Sequence, residues 1–170
     1  MKLTKKTVLG ILSLLIAILF VASGLQPTTT SKPAVLDGDK FLVSRVIDGD
    51  TIELAEGHTV RYIGIDTPET VKPNTPIECF GKEASKRNKE LVEGKYVSLE
   101  KDVNETDKYG RLLRYVYTEE YFINKKLVED GYAESASFPP DIAKQSELDE
   151  AERYARENNL GLWGKCNEYD

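Results

Sequence analysis

Residues 41–69 read FLVSRVIDGDTIELAEGHTVRYIGIDTPE. Three short runs rich in β-branched and apolar residues stand out in them: Phe41 to Ile47, Thr51 to Leu54 and Thr59 to Ile65. Asp48-Gly49 and Glu56-Gly57 separate the runs. Apolar runs bounded by Gly and Asp pairs are strands joined by tight turns, so the stretch predicts a three-stranded meander. Asp66-Thr67-Pro68 is expected to end the third strand, because proline has no N–H to give to a ladder. Further along, Val71 to Pro76 is a proline-containing loop. Cys79 to Glu93 has a helical period, with Phe80, Ala84, Leu91 and Val92 on one face and Gly94 as the stop. Lys95 to Leu99 and Leu112 to Tyr117 supply two more strands. Ile123, Leu127 and Val128 mark a short helix ended by Gly131. Leu148, Ala151 and Ala155 mark a longer one stopping near Asn159 and Gly161, with Ser146 and Asp149 at the spacing of a capping box. Five strands with helices between and after them suit a small closed β-barrel with helices, an α+β arrangement, and not a doubly wound sheet.

Upstream of the meander the composition changes. Lys2, Lys5 and Lys6 precede the apolar run Val8 to Ala22, and the small residues Ser23 and Gly24 follow it. A basic start, an apolar run and small residues make a secretory signal. Extended to Leu25, the run has 18 residues, which just reaches the span of a bilayer, so a retained signal anchor is the alternative. Residues 1–25 are expected to be this signal or anchor, 26–38 a flexible linker rich in Pro and Thr, and 39–170 the folded domain. Either version of the segment places that domain outside the cytoplasm.

The inventory excludes several chemistries. The 170 residues include 23 basic and 29 acidic side chains, a formal charge of −6. Without the three N-terminal lysines the balance is 20 against 29, or −9. Such a chain is no bulk electrostatic binder of nucleic acid, and any polyanion must meet a local cluster of arginines or a metal ion held by the acids. His58 is the one histidine, so mechanisms that need a histidine pair are excluded. Two cysteines and one histidine cannot close a four-ligand zinc site without carboxylates.

The groups that remain are carboxylates and arginines at strand ends. Asp48 and Asp50 sit at the first turn, Arg61 in the third strand, Asp66 and Glu69 after it, and Asp107 and Arg111 before the last strand. Carboxylates and carbonyls are hard ligands suited to Ca²⁺ or Mg²⁺. An EF-hand on Asp48 fails, because Ile52, Glu53 and Thr59 stand where that loop needs an oxygen ligand, a glycine and a glutamate. An isolated Asp-Gly-Asp is more often a hairpin turn, and a second one at Asp37 to Asp39 falls in the linker.

Taken together, IDGDT at 47–51, RYIGIDTPE at 61–69, DKYGR at 107–111 and NLGLW at 159–163 resemble the staphylococcal nuclease family, in the family's order, from Phe41 to Trp163. The resemblance implies an OB-fold, a five-stranded barrel plus three helices. It implies that Asp50 and Asp66 are carboxylate ligands of Ca²⁺ and that Thr67 adds its backbone carbonyl. Glu69 would be the general base, Arg61 and Arg111 would grip the scissile phosphate, and Lys108 and Tyr109 would contact the terminal phosphate of the nucleotide. The family's prototype stacks tyrosines on the base after its second helix. Here residues 133–140 are AESASFPP, which leaves Phe138 as the one stacking aromatic and sets the acid Glu134 beside it.

Several residues read as structural. Tyr62, Tyr96, Tyr115 and Tyr117 are barrel wall or surface, Trp163 a core anchor of the tail, and His58 a solvated turn residue. Arg114 and Lys101 read as a solvated strand face, and Asp48 as a residue that shapes the turn or supports the metal ligands from behind. Arg61 and Arg111 are each expected to rest on a carboxylate when no substrate is bound. An even cysteine count outside the cytoplasm, with no other use for thiols, predicts a Cys79–Cys166 disulfide.

The leading expectation is a calcium-dependent extracytoplasmic nuclease, a monomer hydrolysing DNA and RNA with low base specificity. Only its N-terminal segment would touch a membrane. The alternative is a catalytically weak nucleic-acid-binding or Ca²⁺-binding module on the same fold. A binding module predicts a missing acid or arginine, yet Asp50, Asp66, Glu69, Arg61 and Arg111 are all present.

Overall fold

A computed structural model of the chain describes residues 39–70 and 76–166. The expected signal or anchor, the linker up to Gly38 and the loop residues Val71 to Thr75 lie outside the described residues.

Strands β1 (Lys40–Asp48), β2 (Thr51–Leu54), β3 (Thr59–Tyr62), β5 (Tyr96–Glu100) and β6 (Leu112–Tyr117) close a barrel in the order β1-β2-β3-β6-β5. The first three are antiparallel neighbours, as the turn residues predict. β1 serves two partners, pairing β5 through Lys40 to Leu42 and β2 through Val43 to Asp48. Its register shifts between Val43 and Arg45 and again between Val46 and Asp48. Such irregularities bend a strand, which lets one long strand wrap from one side of the barrel to the other. Closure comes from β3 and β6, which run parallel with Val60 opposite Leu112 and Arg61 opposite Leu113.

Inward-pointing residues fill the barrel: Val43, Ile52, Leu54, Val60, Tyr62, Val97, Leu99 and Val116 are buried. Three helices cover it. Helix α1 (Gly81–Val92) buries Ala84, Asn88, Leu91 and Val92. Helix α2 (Ile123–Glu129) buries Ile123, Leu127 and Val128, and α3 (Gln145–Glu157) buries Leu148, Ala151 and Ala155. A single turn, α4 (Leu162–Lys165), follows. Cys79 and Cys166 form the expected disulfide, with Cα atoms 5.9 Å apart.

Two buried amides tie helices to strands. Tyr62 donates its hydroxyl to Asn88 Oδ1 (2.9 Å), and Asn88 Nδ2 donates to the carbonyl of Asp48 (3.1 Å). Asn124 accepts from the Val116 N–H (2.9 Å) and donates to the Ile63 carbonyl (2.8 Å). Buried polar groups satisfied in this way fix where each helix sits.

The structure departs from the sequence reading at five places. The third strand ends at Tyr62, before Ile65, because Gly64 takes a left-handed φ of +78°. After that turn the chain forms β4 (Ile65–Asp66), which pairs with β7 (Glu134–Ser135), a two-stranded piece with too few residues to show a period. Helix α1 starts at Gly81, with Phe80 as a left-handed N-cap outside it. Ser146 forms no capping box: α3 starts at Gln145, and Asp149 instead accepts from Ser135 Oγ (2.6 Å) and Gln145 Nε2 (2.8 Å). In the tail Leu162 is the core residue, while the half-buried Trp163 ring lies under the Arg156 guanidinium at 3.7 Å.

The fifth departure concerns Arg114, which is no solvated residue. Its side chain is 0% exposed, Nη2 is ion-paired with Glu105 Oε1, and Nη1 donates to the carbonyls of Leu113 (2.8 Å) and Glu105 (3.2 Å). The long stem of arginine allows the charge to run along the sheet to an exposed acid, which a simple alternation of faces does not reveal.

Candidate active site

The turn between β1 and β2, the end of β3 and the segment after β4 meet at one rim of the barrel. There they border a cleft of about 510 Å³ lined by Asp48, Asp50, Arg61, Asp66, Thr67, Glu69, Glu78 and Arg111, among others. The register explains the convergence. Thr51 pairs with Arg61 across β2 and β3, and the Tyr62 N–H donates to the Asp50 carbonyl (2.9 Å), so the turn carboxylate stands beside the arginine.

Asp50 is buried and densely hydrogen-bonded. Oδ1 accepts from Thr51 Oγ1 (2.9 Å), and Oδ2 accepts from the Thr67 N–H (3.1 Å) and Thr67 Oγ1 (2.9 Å). Arg61 Nη1 forms an ion pair with the same Oδ2. Arg61 Nη2 donates to Asp66 Oδ1 (2.6 Å) and to the Ile65 carbonyl (3.2 Å). One guanidinium therefore bridges two carboxylates, one from the β1–β2 turn and one from β4. The Asp66 side chain is 63% exposed, so its bond to Arg61 is the one open to exchange with solvent or ligand. Burial lowers the Arg61 pKa while Asp66 raises it, and Arg111 adds a like-charge push downward. Guanidinium starts so basic that it stays cationic throughout.

Arg111 is held in a similar way. Its Nε donates to Asp107 Oδ2 (2.6 Å), while Asp107 Oδ1 accepts from the backbone N–H groups of Tyr109 (2.9 Å) and Arg111 (3.0 Å). Burial raises the Asp107 pKa, but the Arg111 side-chain and backbone hydrogen bonds outweigh it and hold the carboxyl below its ordinary value. Both arginines thus rest on acids, as expected for the free protein.

Asp48 supports the turn: Oδ1 accepts from the Gly49 N–H (2.8 Å) and from Thr70 Oγ1 (2.5 Å), which ties the turn to the segment after β4. Lys108 and Tyr109 lie outside this cleft. They border a neighbouring hollow of about 480 Å³ that also touches Arg61, Arg111, Phe138 and Pro139. Tyr109 is 73% exposed, with Lys108 Nζ 5.0 Å and Arg111 Cζ 5.5 Å from its ring centre. Phe138 is 56% exposed on the other side. The two arginines stand where the two hollows meet.

The donor set near Arg61 suits a hard cation. Asp50 and Asp66 already share one positive group between them, and both offer it carboxylate oxygen. Among the described residues no group of three or more His, Cys, Asp and Glu side chains gathers around a point, so water would complete the shell of a Ca²⁺ held by Asp50, Asp66 and Thr67.

One cleft residue escaped the sequence reading. Glu78 reaches across the proline loop to Glu69: its Oε2 accepts the Glu69 N–H (2.8 Å), and its own N–H donates to the Glu69 carbonyl (3.0 Å). A single glutamate before a cysteine carries no motif, so only the fold reveals it.

Comparison with known proteins gives a consistent result. The family model described as staphylococcal nuclease homologue matches residues 59–165. The chain is 40% identical over 166 residues to the thermonuclease of Staphylococcus intermedius, covering 94% of this chain and 98% of that one. It is 36% identical over 168 residues to the thermonuclease of Staphylococcus hyicus, with the same coverage. It is 43% identical over 130 residues to endonuclease YncB of Bacillus subtilis, covering 72% of this chain and 61% of the relative.

Proposed function

The chain belongs to the staphylococcal nuclease family, and from that premise we propose that this nuclease is calcium-dependent, works outside the cytoplasm and hydrolyses DNA and RNA with little base specificity. The observation that carries the reading is the meeting of Arg61 and Arg111 on a cleft that also holds Asp50, Asp66 and Glu69.

Hydrolysis of a phosphodiester needs an activated water and compensation of the charge that builds on the phosphoryl oxygens. Each arginine offers a planar, two-point grip to a phosphate. A phosphate entering the cleft replaces Asp66 on Arg61 and Asp107 on Arg111, exchanging one anionic partner for another, so neither guanidinium is stranded. Glu69 takes the proton of the attacking water. A carboxylate base gives ~10²–10⁴-fold and one charge donor ~10²–10³-fold, so the reaction needs several groups acting together. Asp50, Asp66 and the Thr67 carbonyl would hold Ca²⁺, which when bound would supply positive charge near that phosphate.

Low base specificity follows from the sparse stacking surface. Tyr109 and Phe138 offer apolar faces, and a face reads no hydrogen-bond pattern of the base. Placement outside the cytoplasm is supported by the basic and apolar pattern of residues 1–25.

The test is hydrolysis of single-stranded DNA by the purified protein with Ca²⁺, with Mg²⁺ and with excess chelator. Activity with Ca²⁺, little with Mg²⁺ and none with chelator are expected. Glu69→Gln should lower kcat by ~10²-fold or more with KM little changed. Full activity in chelator together with an unaffected Glu69→Gln variant sinks the assignment and favours a binding module.

A further inference from the structure

We propose that Glu78 is a positioning residue that holds Glu69 in the geometry of a general base, through a two-way clamp braced on the start of helix α1. The proposal rests on the reading of Glu69 as that base.

The clamp is reciprocal. Glu78 Oε2 accepts the Glu69 N–H at 2.8 Å, and the Glu78 N–H donates to the Glu69 carbonyl at 3.0 Å. Both backbone groups of Glu69 are thus engaged by one residue nine positions away. Glu78 itself lines the cleft, so its charge is placed beside the substrate path and not on a remote surface.

Three features brace the residues that follow Glu78. Cys79 is bonded to Cys166, which anchors the turn to the C-terminal tail. Phe80 is left-handed, with φ 68°, a strained conformation for a bulky side chain, and its ring stacks on Tyr132 at 5.2 Å. Gly81 opens α1 and packs so closely that a Cβ there would lie 3.0 Å from the Pro68 carbonyl and 3.2 Å from that of Glu69. A strained residue persists where the surroundings over-determine it, and here the surroundings press the helix start against the segment that carries Glu69. Thr70, next along that segment, is held from the other side by Asp48. Glu69 is therefore gripped between the first turn of the barrel and the start of α1, while its side chain faces the cleft. Small misplacements of a catalytic group are expensive: about 1 Å can cost ~10²-fold in rate.

Three variants separate reach from charge. Glu78→Gln keeps an oxygen at the same reach and loses the charge. Glu78→Asp keeps the charge and withdraws the oxygen by one methylene. Glu78→Ala loses both. With Ca²⁺ and single-stranded DNA, Glu78→Ala and Glu78→Asp should lower kcat ~10–100-fold with KM within about twofold, and Glu78→Gln should recover most of the rate. In a Glu69→Gln background, Glu78→Ala should add no further loss, since the clamp acts through the residue already disabled. Without metal or substrate, the Glu69 amide should exchange its hydrogen faster in Glu78→Ala and Glu78→Asp than in the wild type or Glu78→Gln, while the thermal midpoint of Glu78→Gln stays at the wild-type value. Wild-type kcat in Glu78→Asp, or an equal further loss when Glu78→Ala is placed on Glu69→Gln, overturns the clamp and leaves Glu69 as the base. Wild-type kcat in Glu69→Gln removes the base itself and the clamp's catalytic role with it.

Discussion

Arginine at positions 61, 111 and 114 shows how differently one residue type is used in one barrel. Arg61 bridges Asp50 and Asp66, Arg111 rests on Asp107, and Arg114 runs buried along the sheet to Glu105. The first two hold acids that a phosphate can displace, whereas Arg114 is buried and paired with Glu105 through its Nη atoms. Arg111→Lys keeps the charge and loses the planar fork, so the rate on single-stranded DNA should fall ~10²-fold or more while the folded structure, read by circular dichroism, is unchanged. Glu105 responds to pH in a way that tests the Arg114 pair. The Arg114 hydrogen bond, its largest influence, holds the Glu105 carboxyl below the ordinary 4.5. A depressed carboxylate contributes stability that is present above its ordinary pKa and fades as pH falls through the folded value. Glu105→Gln should therefore be less stable than the wild type in urea at pH 7, and the gap should shrink as pH is taken below 4.5. A gap that stays constant down to pH 3 contradicts the ion pair as its source.

At the scale of elements, the strands and helices were legible wherever a period had room to express itself. β2, with Ile52 and Leu54 inward, and α3, with Leu148, Ala151 and Ala155 on one face, follow their patterns. The short pieces were not legible. β4 and β7 have two residues each, and what pairs them is the left-handed turn at Gly64 and the reach of a distant segment. The same division holds at the site. Asp50, Arg61, Asp66, Glu69 and Arg111 stand in motifs and so were named from sequence, whereas Glu78 acts through a contact made across a loop. The Cys79–Cys166 bond joins the turn before α1 to the residue after α4 across a separation of 87 positions. Closing a loop of that length contributes roughly 4–5 kcal/mol in the chain-entropy model. Replacing both cysteines by serine should lower the thermal midpoint by on the order of 10–20 °C, measured by calorimetry against the oxidised wild type. A shift under about 3 °C means that the tail and the turn are held by packing and that the crosslink adds little.

The whole molecule handles a polyanion while carrying excess negative charge, and that combination sets its response to salt. Past the first six residues the acids outnumber the bases by 29 to 20. Attraction to a nucleic acid must therefore come from the few cations near the cleft, Arg61, Arg111 and Lys108, against a background that repels the strand. Each phosphate neutralised on a single strand releases about 0.7 of a counterion, so two neutralised phosphates, one gripped by both arginines and one met by Lys108, predict a slope near about −1.4 for log affinity against log salt. A protein that binds through a broad basic face shows a much steeper slope. Glu134 sharpens the contrast: it lies across from Asp66 in the β4–β7 pair and its carboxyl pKa is raised, by burial first and then by the charges of Glu152, Asp66 and Glu78. The acids beside the cleft thus repel one another and any phosphate beyond the one that the arginines hold and the one that Lys108 meets. Binding of single-stranded DNA to the Glu69→Gln variant, measured by fluorescence anisotropy from 50 to 400 mM KCl, should give a slope of about −1.4. Lys108→Ala should make that slope shallower by about 0.7, and Glu134→Lys should make it steeper by a similar amount. A Glu69→Gln slope beyond about −4 would mean that the strand follows a longer basic path over the surface than these three residues provide.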